Sequence, residues 1–216
     1  MLIDQAHSVH HYASDITSSF PVNGKFTEKQ AAIYNIVLKA NRAVMSHLKP
    51  GVSWVDMQLL AERIILEGLL DLGLVHGDIQ EMLDNRIGFI FMPHGLGHLI
   101  GLEVHDVGGY LKNTPARVMK PGLKNLRTAR SLEKNTFITV EPGCYFRDFL
   151  LNGDFGADLA VAHPAKYLNR DLIIEYQKEI SGVRIEDVVL ITADGCDNLS
   201  KELPRTVEEI EACMKH

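Results

Sequence analysis

His94-Gly95-Leu96-Gly97-His98 sets two histidines four residues apart, the spacing that would place both on one face of a helix, but puts two glycines between them. Each glycine costs about 1 kcal/mol in a helix interior, so a helical zinc-binding pair is the wrong reading. The glycines do not make a dinucleotide fingerprint either. Gly95, Gly97 and Gly101 miss the G-x-G-x-x-G spacing, and no strand–helix–strand pattern surrounds them. What remains is a loop or strand whose backbone passes close to another part of the chain, with His105 seven residues beyond His98.

On the N-terminal side of this stretch the pattern is helical. Thr27-Glu28-Lys29-Gln30 reads as a capping box before the apolar positions Ile33, Ile36, Val37 and Ala40, and Pro50-Gly51 stops that helix. A second helix is predicted from Ser53 through Leu69 and Leu70. On the C-terminal side the pattern turns to strands, Phe137–Val140 and one long run from Val183 to Ile191, each bounded by Pro or Gly. A last short helix opens at the capping box Thr206-Val207-Glu208-Glu209. Helices first and strands later predict an α+β layering. No repeat or linker divides the chain, so residues 1–216 are expected to form one domain.

Composition narrows the function. The net charge of −6 leaves no basic surface for nucleic acid or anionic membrane, which points to a small-molecule or peptide substrate. The start of the chain lacks a basic segment followed by an apolar core, and no apolar stretch of about eighteen residues occurs. Cys144, Cys196 and Cys213 are odd in number and in no metal or redox spacing. A reducing, cytoplasmic setting is expected.

Three further elements carry chemistry. Glu141 ends the apolar run Phe137–Val140 and is followed by Pro142-Gly143; Arg184 and Glu186 fall on one face of the predicted long strand; Asp4 and Asp15 stand near the start. Singly, each has an ordinary reading: a strand glutamate on a solvated face, a histidine with a structural role. Together, four carboxylates and an imidazole suit two hard or borderline cations held about 3.5–4 Å apart.

In this order the elements resemble the pita-bread metallopeptidases (methionine aminopeptidase, aminopeptidase P and prolidase). Leu126-Arg127-Thr128-Ala129-Arg130 and Leu203–Glu211 bring the resemblance closest to the eukaryotic prolidases, or Xaa-Pro dipeptidases. The resemblance implies a pita-bread catalytic domain and roles by position. Asp4 would chelate one metal, Asp15 and Glu186 would bridge both, and His98 with Glu141 would hold the second. His94 and His105 would steady the substrate, and Arg127 would grip the carboxylate of a C-terminal proline, a task that suits a guanidinium fork. Arg184 would orient the metal-binding carboxylates. The implied reaction is metal-assisted hydrolysis of Xaa-Pro dipeptides, with Glu141 moving the proton and two divalent ions, manganese by family habit, as cofactors; family members are usually homodimers.

The family pattern has an opening helix and strand before its first metal aspartate, whereas Asp4 is three residues from the start. An N-terminally shortened catalytic domain is therefore expected. His7, His10 and His11 are read as incidental. Two other readings stay open: a pita-bread module without activity that serves dimerisation or partner binding, and an aminopeptidase P acting on longer peptides.

Overall fold

A computed structural model describes residues 1–153 and 163–215. The chain opens on a hairpin of β1 (Leu2–Val9) and β2 (Tyr12–Ser19), followed by α1 (Glu28–His47), α2 (Trp54–Asp71), α3 (Ile79–Asp84) and α4 (Gly88–Phe91). After a long loop come β3 (Phe137–Val140), β4 (Gly143–Tyr145), α5 (Asp148–Leu151) and α6 (Arg170–Gln177). The last elements are β5 (Gly182–Arg184), β6 (Asp187–Ile191), β7 (Cys196–Asn198) and α7 (Val207–Cys213). The strands pair antiparallel in three ladders, β1–β2, β3–β6–β7 and β4–β5.

The helices start where their caps stand. Thr27 Oγ1 accepts from the Gln30 amide at 3.3 Å while Gln30 Oε1 accepts from the Thr27 amide at 3.1 Å, closing the capping box of α1. Ser53 caps α2 by accepting from the Asp56 amide, and Thr206 caps α7. Ile33, Val37, Ala40 and Val44 of α1 pack on α2, whose Ala61, Ile65 and Leu69 are also buried. Gly68 permits the close crossing, because a Cβ there would lie 2.5 Å from Ile36.

Two features depart from the pattern read in the sequence. The first is the hairpin at the start, which puts strands before the helices. Its buried face, Asp15, Thr17 and Ser19, is polar, so it lacks the apolar alternation that announces a strand. Its two-residue turn places His10 and His11 at φ 50° and 69°, a conformation usually given to Asn-Gly.

The second is the run Val183–Ile191, which is two strands. Arg184 of β5 pairs with Gly143 of β4, whereas Asp187 of β6 pairs with Val140 of β3, and Ile185-Glu186 lie between. The break follows from Pro142 on the partner side, which has no amide hydrogen to continue the ladder and only accepts, from the Ile185 amide at 3.3 Å.

Arg205 holds the hairpin to this break. Its buried guanidinium donates to the Thr17 carbonyl of β2 at 3.0 Å, to the Glu186 carbonyl and to Asp187 Oδ1 at 2.8 Å. Asp187 is only 1% exposed, so removing the guanidinium strands a buried carboxylate. Arg205→Met is expected to destabilise the chain by about 3–5 kcal/mol. A urea titration that returns the parent midpoint would show that the hairpin docks without this clamp.

Candidate metal centre

Five acidic and imidazole side chains reach one wall from five places in the chain, Asp4 exposed and the other four buried or half-buried. β2 supplies Asp15, the glycine loop supplies His98, the end of β3 supplies Glu141, and the break between β5 and β6 supplies Glu186; Asp4 joins them from β1. Ligand-type atoms of His98, Glu141 and Glu186 lie within 4.8 Å of one another, and so do those of Asp4, Asp15 and Glu186. A third such group joins Asp15, His98 and His105. His105, expected beside the substrate, thus also has a ring nitrogen within 4.8 Å of ligand-type atoms of Asp15 and His98.

Close backbone approaches build the wall. A Cβ on Gly97 would sit 2.0 Å from the Thr139 carbonyl, so glycine alone lets the loop lie against β3. The His98 amide then donates to Thr139 Oγ1 at 3.0 Å, and that hydroxyl donates to Glu141 Oε1 at 3.2 Å. His98 Nδ1 is 3.0 Å from the Leu99 carbonyl. A carbonyl only accepts, so Nδ1 carries the hydrogen and Nε2 faces Asp15 Oδ2 at 3.3 Å and Glu141 Oε1 at 3.5 Å.

Arg184 links the remaining carboxylates. It donates to Asp4 Oδ2 at 2.6 Å and to Thr17 Oγ1 at 3.0 Å, and Thr17 donates onward to Glu186 Oε2 at 2.7 Å. His94 does not join the acidic cluster; its Nε2 meets the Tyr145 hydroxyl at 2.9 Å. Tyr145 was not among the expected site residues. It lies on β4 beside Gly143, where a Cβ would come 2.5 Å from its hydroxyl, and Arg184 Nη1 approaches that hydroxyl at 3.4 Å.

His98 and Glu141 of the cluster line a cleft of about 520 Å³ together with His94 and His105, and the same cleft is lined by Arg117, Lys124 and Arg127. Arg117 is occupied, stacked on Tyr110 and donating to the Lys124 and Leu126 carbonyls. Arg127 is exposed.

Residues 1–193 match metallopeptidase family M24. The chain belongs to this family. It is 51% identical over 215 residues to the Xaa-Pro dipeptidase of Mus musculus and 49% identical to that of Homo sapiens, in each case over 99% of this chain and 42% of the relative. Among solved structures it superposes on Pseudomonas aeruginosa aminopeptidase PepP with a TM-score of 0.75 and 36% identity, over 99% of this chain and 40% of that one. The chain thus spans about two fifths of the length of these relatives, and its described residues form part of a pita-bread fold.

The charges in this metallopeptidase wall are those of a site that fits cations. Burial pushes Glu141 up to about 7, with His98 and Arg184 opposing. Burial and then the neighbouring Glu141 push Glu186 up to about 8. Glu186 Oε1 is buried and accepts no hydrogen bond. Burial works against a charged His98, but Asp15, the Leu99 carbonyl and Glu141 outweigh it, and its pKa is raised. Burial pushes His94 down to about 4 and also lowers His105. Crowded carboxylates that hold their protons and an orphaned carboxylate oxygen are what a set of cation ligands looks like before the cation's charge is supplied.

These shifts set the pH response of the metal-free chain. Glu141 and Glu186 bind protons more tightly folded than unfolded, so their contribution is full below about pH 4.5 and is lost as pH rises through about 7 and 8. His94 has the opposite shift and acts only below its ordinary value of 6.5. The melting midpoint of the EDTA-treated chain is therefore expected to fall by several degrees from pH 6.5 to 8.5. Calorimetry giving an equal or higher midpoint at pH 8.5 would contradict this.

Proposed function

We propose that this chain is the catalytic domain of a metallopeptidase that hydrolyses Xaa-Pro dipeptides. The observation that carries the reading is one cleft lined both by His98 and Glu141 of the ligand-type cluster and by the exposed residue Arg127. A dipeptide offers a matching pair of features, an amide for the acidic wall and a terminal carboxylate for the arginine. Similarity to curated Xaa-Pro dipeptidases supports the substrate class.

Asp4, Asp15, His98, Glu141 and Glu186 would hold two divalent ions, for which manganese is the favoured candidate; bound there, they would supply Lewis acidity and an activated water. Arg127 would fork onto the proline carboxylate and fix the register of the peptide. Glu141, beside His98 at the cleft, would take a proton from the attacking water and return it to the leaving nitrogen. Neutral His94, held by Tyr145, and His105 would line the path of the scissile carbonyl. Arg184 would keep Asp4 and Glu141 aimed inward, being 2.6 Å and 4.0 Å from their oxygens. We further propose that the protein acts as a homodimer in the cytoplasm, where three free cysteines stay reduced.

A second reading, an aminopeptidase P that acts on longer peptides, has support in the likeness to solved aminopeptidase P structures. Hydrolysis of Gly-Pro and Gly-Pro-Pro by the manganese-loaded chain separates the two, with Glu186→Ala as the inactive control and metal content measured on the same sample. Gly-Pro cleavage that disappears in the variant is expected, with Gly-Pro-Pro cut poorly. Preference for the tripeptide would favour the second reading, and no cleavage of either would leave a module without activity.

Arg127→Leu tests the carboxylate contact. It is expected to raise KM for Gly-Pro at least tenfold, a loss of about 1.4 kcal/mol, and to leave the metal content unchanged. Unaltered KM would remove Arg127 from the substrate.

A further inference from the structure

Gln58, Glu62 and Arg86 make a polar line through the apolar core between α2 and the loop after α3, and the hydrolytic reading gives them no role. Gln58 and Glu62 are wholly buried and Arg86 is 5% exposed. Gln58 Nε2 donates to Glu62 Oε1 at 2.8 Å, and Arg86 Nη2 donates to the same oxygen at 2.6 Å.

The two ends of the line reach two segments that both contribute lining residues to the cleft, the glycine loop and the stretch after Pro121, which also meet directly where Asn125 Nδ2 donates to the Pro93 carbonyl at 2.6 Å. At one end Gln58 Oε1 accepts from the Leu96 amide at 2.6 Å, and the Leu96 carbonyl accepts from the Glu141 amide at 2.8 Å. At the other end Arg86 Nε donates to the Pro121 carbonyl at 2.8 Å, at the root of the segment that carries Lys124 and Arg127.

Stability alone does not account for the arrangement. Glu62 Oε2 and Arg86 Nη1 are buried without hydrogen-bond partners, and Arg86 holds φ 59°, a left-handed conformation that strains a residue with a side chain. A buried ion pair with unsatisfied atoms is often no more stable than apolar residues of the same volume. Two glycines nonetheless fit closely around this one. A Cβ on Gly88 would lie 2.8 Å from Glu62 Oε2, and one on Gly122 would lie 3.0 Å from Arg86 Nη2.

We propose that Gln58, Glu62 and Arg86 are positioning residues that, beside the direct Asn125–Pro93 contact, fix how the glycine loop that carries Glu141's backbone partner sits relative to the segment that carries Arg127, and thereby the length of peptide that the site accepts. The selectivity part rests on the dipeptidase reading, whereas the structural coupling does not. The line acts as a spacer of hydrogen bonds: Glu62 anchors it in the core, Gln58 sets the glycine loop, and Arg86 sets the Pro121 segment.

The test pairs Glu62→Leu with Arg86→Met, which removes both buried charges together so that the fold can persist, as judged by a cooperative melt. Hydrogen exchange at the Leu96 amide, which neither substitution touches, is read on the metal-free chain. At least tenfold faster exchange is expected, and exchange within twofold of the parent would overturn the coupling. On the manganese-loaded chain the preference for Gly-Pro over Gly-Pro-Pro is expected to fall at least tenfold; an unchanged ratio would overturn the ruler.

Arg86→Lys keeps the charge pair and drops the Pro121 contact. It is expected to raise KM for Gly-Pro with kcat held, and an unchanged KM would count against the proposal even where the double variant does not fold. If the parent chain cleaves no dipeptide, the function assigned above fails, and the exchange measurement still decides the coupling.

Discussion

The candidate centre depends on one buried guanidinium that reads two backbone carbonyls and a carboxylate. Arg205 joins β2 to the point where β5 gives way to β6, and these two places carry Asp15 and Glu186. β2 brings no apolar face to define how they meet, since it turns Asp15, Thr17 and Ser19 inward. A planar fork with several donors fixes the direction as well as the distance of its partners. Tyr34 of α1 donates to the Arg205 carbonyl at 2.9 Å, so the clamp is itself seated on the helical layer.

From that joint the site's division of labour follows. Rigid backbone delivers the ligand-type groups, with β2, the end of β3 and the β5–β6 break each contributing one carboxylate, and hydroxyls of Thr17 and Thr139 orient two of them. Loops deliver the opposite charge, through Arg117, Lys124 and Arg127. A cleft lined by both a carboxylate and cationic side chains favours a ligand that itself carries groups of both kinds.

Much of this was legible in the sequence wherever the cause is local. Thr27, Ser53 and Thr206 mark helix starts because their hydroxyls serve amides three residues on, and α1, α2 and α7 begin there. The rejection of a helix at His94–His98 follows from glycine, and so does the expectation of a close backbone approach, although nothing in the stretch names Thr139 as its neighbour. What was not legible is non-local. The first hairpin hides because its inner face carries polar, hydrogen-bonding side chains instead of apolar ones. The break in Val183–Ile191 is imposed by Pro142 on another strand. Tyr145 enters only through the β4–β5 register that sets Gly143 opposite Arg184.

Thr17 has a single hydroxyl proton, and that has a consequence for the whole cluster. Arg184 can only give hydrogen bonds, so Thr17 receives from it and must spend its own proton on Glu186. The line from guanidinium through hydroxyl to carboxylate therefore has a fixed polarity, with each hydrogen pointing from Arg184 towards Glu186. Valine would match threonine in shape and in its liking for strands, yet it would remove the one group that touches both and leave Arg184 and Glu186 each a hydrogen-bond partner short.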